Sequence, residues 1–417
     1  MKVATQVSTQ FVRVPSTYYP PKPEARRTVK KLIIGDILHA RYHIVDKLGF
    51  GGYSTIWLAR DTRQEQYVAV KVGIADATLP RETKILRALS SSSVHPGRKA
   101  IPVPLDEFQV HGPNGIHNVL YNGSRTMQSQ RGGLILAIAY AHSQGYVHGD
   151  VHLRNALVKL PSSFDQLSIE QLYEEYGEPE TVTITERDGK PLPPNIPKKA
   201  VIPLYLGKDA EEFSLSDACV LLGDFGEAFT PEEFRCGKDC HTPLAARPPE
   251  ARFEPQAPLS YSADIWSLAT AIWDILGMKA IFSSEFATAD EMVAQQIDVL
   301  GAMPLSWWKR WEERSQFFDD DGRPKEGRYV WTSIDKAFEE GVQEFRRKSS
   351  RVTPLPLGSP WSLKDCLGAP VANNDQVESA SGELEKRFLY RHYTPEKRDE
   401  DLEKRFFYKY DPEKRDE

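Results

Sequence analysis

Apolar and polar positions alternate in short runs near the start of the fold. From Tyr42 to Val72 the runs YHIVDKLG, STIWLAR and QYVAVKV are separated by Gly or charged turns, the period-two pattern of an antiparallel meander. A helix is expected next, with Pro80 in its first turn and Ile85, Leu86 and Leu89 on one face. Residues 101–121 then read as two further strands. Upstream, residues 1–30 carry Pro15, Pro20, Pro21 and Pro23 with little apolar periodicity and read as an extended N-terminal arm.

Beyond residue 132 the period becomes helical, most clearly in YSADIWSLATAIWDILG. There Ile265, Leu268, Ala269, Ile272, Ile275 and Leu276 recur at three- and four-residue steps and are expected to form the buried face. Trp307, Trp308 and Trp311 have helical spacing and read as an aromatic packing cluster. An acidic, Pro-containing stretch within residues 161–214 is taken as an inserted surface loop. From Val352 the chain turns polar, and it ends in two near-copies, residues 383–400 and 401–417.

Composition narrows the classes. With 417 residues, 40% hydrophobic and 27% charged, the chain is expected to bury a sizeable core. Fifty-three Lys and Arg against 59 Asp and Glu leave a formal charge of −6, without the basic excess of a nucleic-acid binder. Neither nucleic acid nor a membrane is an expected partner, because no apolar run approaches the length of about 18 residues that a spanning helix needs. Cys219, Cys236, Cys240 and Cys366 are too few and scattered for a disulfide framework and suit a reducing cytoplasmic or nuclear setting. Cys236 and Cys240 lack a second ligand pair at zinc-site spacing and read as free thiols.

Candidate chemistry begins at Gly49-Phe50-Gly51-Gly52-Tyr53-Ser54, a turn between two strands. Glycines there let backbone N–H groups approach phosphates, although such a hairpin alone is only a turn. Lys71, at the end of the strand Val68-Ala69-Val70-Lys71, would add a point charge, and Glu82 on the next helix would hold it. Later come His148-Gly149-Asp150-Val151-His152-Leu153-Arg154-Asn155 and Leu222-Gly223-Asp224-Phe225-Gly226, then Pro248-Pro249-Glu250 and Asp264-Ile265-Trp266-Ser267. Phosphoryl transfer uses such a set: a carboxylate for the acceptor hydroxyl, and an amide with a second carboxylate for Mg²⁺. Their order along the chain is what makes the pattern specific.

Over about residues 32–350 the chain resembles the eukaryotic protein kinases, and IIGDILHARYHIVDKLGFGGYSTIWLARD resembles the start of the serine/arginine-rich protein kinases, particularly their divergent fungal type. The resemblance implies an α+β bilobed fold, with an N-lobe over residues 31–121 and a C-lobe over 122–350, followed by a tail over 351–417. It implies ATP and Mg²⁺, a protein serine or threonine as acceptor, in Arg/Ser-rich sequence, and a monomer. It makes Lys71 and Glu82 the ATP-positioning pair, Asp150 the catalytic base, Asn155 and Asp224 the magnesium ligands, and Gly49, Gly51, Gly52 and Ser54 the phosphate loop. His148 and Phe225 would belong to the packed spine.

The chain departs from that pattern in three places. Gly149 stands where many kinases carry the arginine that pairs with an activation-loop phosphate, so switching by loop phosphorylation is not expected. His152 replaces the catalytic-loop lysine, and an imidazole carries less charge than an ammonium near neutral pH. After the strand HNVLY, NGSRTMQSQRGG leads almost directly into the helix before the catalytic loop, where the family has a hinge and a further helix. Two alternatives therefore stand beside an active protein kinase: an impaired kinase-like scaffold, and a small-molecule phosphotransferase of the aminoglycoside type, which the His-Gly-Asp-x-His pattern also resembles. The tail repeats, with dibasic Lys-Arg steps around FLYRHYTPE and FFYKYDPE, are similar to kexin-processed fungal peptides; a solvated or docking tail is the preferred reading.

Overall fold

A computed structural model describes residues 32–51, 54–75, 81–91, 94–112, 115–123, 133–158, 162–184, 198–206, 220–277, 279–283 and 287–341. The N-terminal arm, Gly52, the short stretch 124–132, parts of the insert, Cys219, Cys366 and the tail repeats lie outside these residues.

The meander folds as its alternation requires. Strands β1 (Ile37–Leu38), β2 (Tyr42–Phe50), β3 (Ser54–Asp61), β4 (Gln66–Gly73), β5 (Val103–Gly112) and β6 (Gly115–Gly123) form one antiparallel sheet in the order β1-β2-β3-β4-β6-β5. Val68, Val70 and Val72 are buried on one face with Ile44, Trp57 and Val119. Ala69 and Lys71 therefore lie on the other face, Lys71 opposite Ile56 and Leu120. Helix α1 (Arg81–Leu89) buries Ile85, Leu86 and Leu89 in the core to which Leu120 belongs, so it packs on the Lys71 face.

The rest of the described chain is mainly helical, which gives the bilobed α+β architecture. Helix α2 (Gly133–Ser143) buries Ala137, Ile138 and Tyr140 and leads to the loop that begins at Tyr146. The 3-10 turn Pro96–Ala100 lies directly on α2; a Cβ at Gly97 would sit 1.7 Å from the Leu136 carbonyl oxygen. Strand β7 (Ala156–Val158) then precedes the insert.

The insert is not the plain surface loop its composition suggests. It contains α3 (Ile169–Tyr176), started by a reciprocal Ser168–Gln171 capping box, and a ribbon of β8 (Thr181–Thr183) with β9 (Lys199–Val201). Leu172 and Phe164 are buried with Val45 and Leu58 of the first sheet. Tyr67 and Leu58 share the face that carries Lys71, so the insert covers that face farther along the strands. Backbone contacts fasten it: Leu204 N donates to Lys47 O at 2.7 Å, Tyr67 N to Asp165 Oδ1 at 2.7 Å, and Tyr173 Oη to Val45 O at 2.9 Å.

The chain returns in β10 (Val220–Leu222), antiparallel to β7. Helices α4 (Glu250–Phe253), α5 (Tyr261–Gly277), α6 (Ala289–Leu300), α7 (Leu305–Arg310), α8 (Arg314–Phe317) and α9 (Ile334–Gly341) follow. Helix α5 is buried on most sides. Leu268 and Ile275 are in the core as expected, but Ile265 and Ile272 are only partly buried and Ala269 is exposed: the buried arc is turned away from the expected stripe, through Asp264, Ser267 and Ala271 with Trp266 and Trp273, while the Leu276 side chain lies outside the described residues. Trp307 and Trp311 are buried, with Trp308 packed against them, so the tryptophans form the expected cluster. Cys236 and Cys240 are both free and buried.

Candidate active site

Three elements bring their charges to one point. Lys71 projects from the face of β4 that meets α1, and its Nζ lies 2.7 Å from Glu82 Oε2 and 2.7 Å from Asp224 Oδ1. Burial pulls the Lys71 pKa down, but the two carboxylates outweigh it and hold the ammonium above its ordinary value. Asp224, two residues past the end of β10, adopts left-handed backbone (φ 59°), a conformation uncommon outside glycine that short Asp side chains tolerate. The chain then enters a 3-10 turn, Phe225–Glu227.

A buried carboxylate organises the loop that carries Asp150. Asp264 of α5, 1% exposed, accepts from His148 N at 2.6 Å and Gly149 N at 2.8 Å, and its Oδ2 lies 2.8 Å from His142 Nε2. A buried carboxylate with this many partners costs little to keep and fixes the backbone that meets it. Gly149 requires its glycine: φ is +77°, and a Cβ would lie 3.0 Å from Glu227 O. The His148 ring packs edge-on against Phe225 at 4.6 Å, the spine contact expected of that pair.

Asp150 and Asn155 follow from that loop. Asn155 Nδ2 donates to Asp150 O at 2.9 Å and lies 3.2 Å from both Asp150 Oδ2 and His152 Nε2, so the amide nitrogen is engaged within the loop. His152 Nε2 lies 3.4 Å from Asp150 Oδ2. Burial raises the Asp150 pKa, yet the hydrogen bond and charge of His152, the charge of His148 and the Asn155 amide overcome it, and the carboxyl sits below its ordinary range. Two atoms here are buried without a hydrogen-bond partner among the described residues, Asp150 Oδ1 and His152 Nδ1. Gly223 N donates to Asn155 O at 2.7 Å, so the β7–β10 pairing holds Asn155 and Asp224 together.

The glycine-rich turn is open above. Gly51 N donates to Ser54 O at 2.9 Å, and a Cβ at Gly49 or Gly51 would meet nothing within 4 Å. The fold itself does not demand these glycines; their effect is to leave the backbone approachable from outside. Among the described residues no group of three or more His, Cys, Asp or Glu could hold a metal by itself. An amide oxygen and one carboxylate suit instead a Mg²⁺ that brings phosphate oxygens with it.

Lys71, Glu82, Asp150, Asn155 and Asp224 thus converge from distant positions, and Gly49, Gly51 and Ser54 form the described part of the turn, while Gly52 lies outside it. Sequence reasoning missed four supports. Thr242 Oγ1 donates to Gly149 O at 2.9 Å; Asp264, singled out in sequence without a partner, accepts from the loop at His148 N and Gly149 N; Glu227 receives Arg235 Nη1 at 2.8 Å with His241 Nδ1 at 2.9 Å; and Arg81 reaches Ala228 O at 2.6 Å. None of these pairs has a spacing signal, because each is made by tertiary approach.

No family model matches the chain. It is 27% identical over 325 residues to a serine/threonine protein kinase of Aspergillus fumigatus, covering 70% of this chain and 73% of that protein. It is 36% identical over 102 residues to the Homo sapiens SRSF protein kinase 3, covering 23% of this chain and 18% of that protein. It is 30% identical over 165 residues to the Caenorhabditis elegans serine/threonine-protein kinase spk-1, covering 34% and 16%. A solved kinase domain matches 79% of this chain and 95% of its own, at 15% identity and a TM-score of 0.49.

Proposed function

We propose that this homologue of serine/threonine protein kinases transfers the γ-phosphoryl group of ATP to a protein serine or threonine hydroxyl. The observation that carries the reading is the Lys71 ammonium, 2.7 Å from both Glu82 and Asp224. That pairing prepares a cation for phosphate oxygens, with a metal-binding carboxylate beside it. Lys71 would hold the phosphates, with the open backbone of Gly49 and Gly51 available to them. Asn155 and Asp224 hold Mg²⁺, which when bound neutralises charge on the phosphates. Asp150 accepts the proton of the acceptor hydroxyl through Oδ1, the buried oxygen that no described residue satisfies.

Arg/Ser-rich protein segments are the proposed substrate class, since SRSF protein kinase 3 and spk-1 are among the relatives. The test is transfer of labelled γ-phosphate to an Arg-Ser peptide, a generic Ser/Thr peptide and a small aminoglycoside. Transfer to the Arg-Ser peptide above the others is expected, and Asp150→Asn is expected to lower the rate by about 10²–10⁴. Transfer to the aminoglycoside alone would replace this reading by the small-molecule one.

A further inference from the structure

Arg81 is the first residue of α1 and adjoins Glu82, the carboxylate that meets Lys71. Its guanidinium reaches the segment after Asp224 twice, through Nε to Ala228 O at 2.6 Å and through Nη2 to the Glu233 carboxylate. The contacts close a circuit: Lys71 to Glu82, Glu82 along the chain to Arg81, Arg81 to Ala228 and Glu233, and back along the segment to Asp224, whose Oδ1 also meets Lys71 at 2.7 Å. Two adjacent residues of one helix thus tie the nucleotide-facing lysine to the segment that follows the metal-binding carboxylate.

The segment is held from within as well. Glu227 accepts from Arg235 at 2.8 Å, and its Oε2 lies 2.9 Å from His241 Nδ1. Arg235 also donates to Glu227 O at 3.1 Å. The catalytic loop offers this segment no cation at Gly149, whose left-handed backbone and close neighbours Glu227 O and Phe229 leave no room for a side chain. The cations that meet this segment are Arg235, from within it at Glu227 O, and Arg81, from α1 at Ala228 O.

We propose that Arg81 and Glu233 are positioning residues: the Glu233 carboxylate holds the start of α1, through Arg81, where Glu82 meets Lys71, so the segment orders the nucleotide site without being modified. This rests on the nucleotide-binding reading above and names how that site is kept in order. Both side chains are partly exposed, at 35% and 42%, so the pair acts by fixing geometry more than by attraction.

The test uses the full chain with Glu233→Ala, Arg81→Ala and the double variant. Hydrogen exchange of the Ile85–Leu89 amides is followed without nucleotide, and KM for Mg-ATP against kcat with it. Glu233→Ala is expected to speed exchange in α1 and raise KM about two- to fivefold while kcat changes less. Arg81→Ala, which also loses the bond to Ala228, is expected to do more, and the double variant no more than Arg81→Ala. Wild-type exchange rates in Glu233→Ala, or effects of the two substitutions that simply add, would overturn the proposal. If wild type captures no Mg-ATP, the functional reading fails, and the exchange data still decide the positioning role.

Discussion

Asp150 illustrates how one side chain's surroundings set its protonation. Burial alone would favour the neutral acid, but His152, His148 and Asn155 together favour the carboxylate. A carboxyl whose folded pKa is depressed contributes stability above its unfolded value of about 3.9, and that contribution is lost as pH falls through the folded value. The stability of wild type relative to Asp150→Asn is therefore expected to be constant from about pH 5 to 7 and to decline in more acid solution, as read by urea unfolding across pH. A relative stability that grew on acidification would mean that burial wins instead. The groups that the proposed chemistry would use were nameable from sequence because phosphoryl transfer asks for particular residue types, a lysine, an amide and carboxylates, and the fold brings Lys71, Glu82 and Asp224 together, and Asp150 with Asn155. Thr242, Arg81 and Glu233 were not, since a hydroxyl donating to Gly149 O or an arginine meeting a carboxylate is one of many equivalent surface possibilities until the chain folds.

Elements repeat that division. The period-two runs made β2, β3 and β4 readable, and Ile85, Leu86 and Leu89 fixed the buried side of α1. The insert was misread because its prolines and acids dominate its composition, although Ile169, Leu172, Tyr173 and Tyr176 stand at helical steps behind a Ser168–Gln171 capping box. Those side chains face Val45, Leu58 and Tyr67, so α3 completes the core of the sheet. Leu172 is fully buried, and Leu172→Ala is expected to cost about 2–5 kcal/mol in urea unfolding, whereas a merely surface loop would tolerate the change within about 0.5 kcal/mol. The insert leaves the chain after β7 and returns at β10, the pair that holds Asn155 and Asp224, so its docking on β2 joins that hairpin to the strand that leads into the glycine-rich turn.

For the whole molecule the decisive property is that the proposed ligand must touch both lobes. Lys71 and the glycine-rich turn belong to the sheet, while Asn155 and Asp224 belong to the helical lobe, and 2.7 Å is all that separates the Lys71 and Asp224 side chains across that boundary. A nucleotide bridging them binds the folded chain and not the unfolded one, so it adds stability as RT ln(1 + [L]/Kd), about 2.7 kcal/mol at one hundred times Kd. A thermal melt with Mg-ATP at that excess is expected to rise by roughly 5–10 °C, using about 2–4 °C per kcal/mol for a domain of this order. The shift is expected to shrink on removing Mg²⁺ with a chelator and in Lys71→Met, which deletes the charge that meets Glu82 on one lobe and Asp224 on the other. A scaffold that retains this architecture but has lost the ligand would melt at the same temperature with and without Mg-ATP. The active and impaired readings of the shortened stretch before α2 therefore part on this one measurement, and they do so whether or not the correct acceptor has been found.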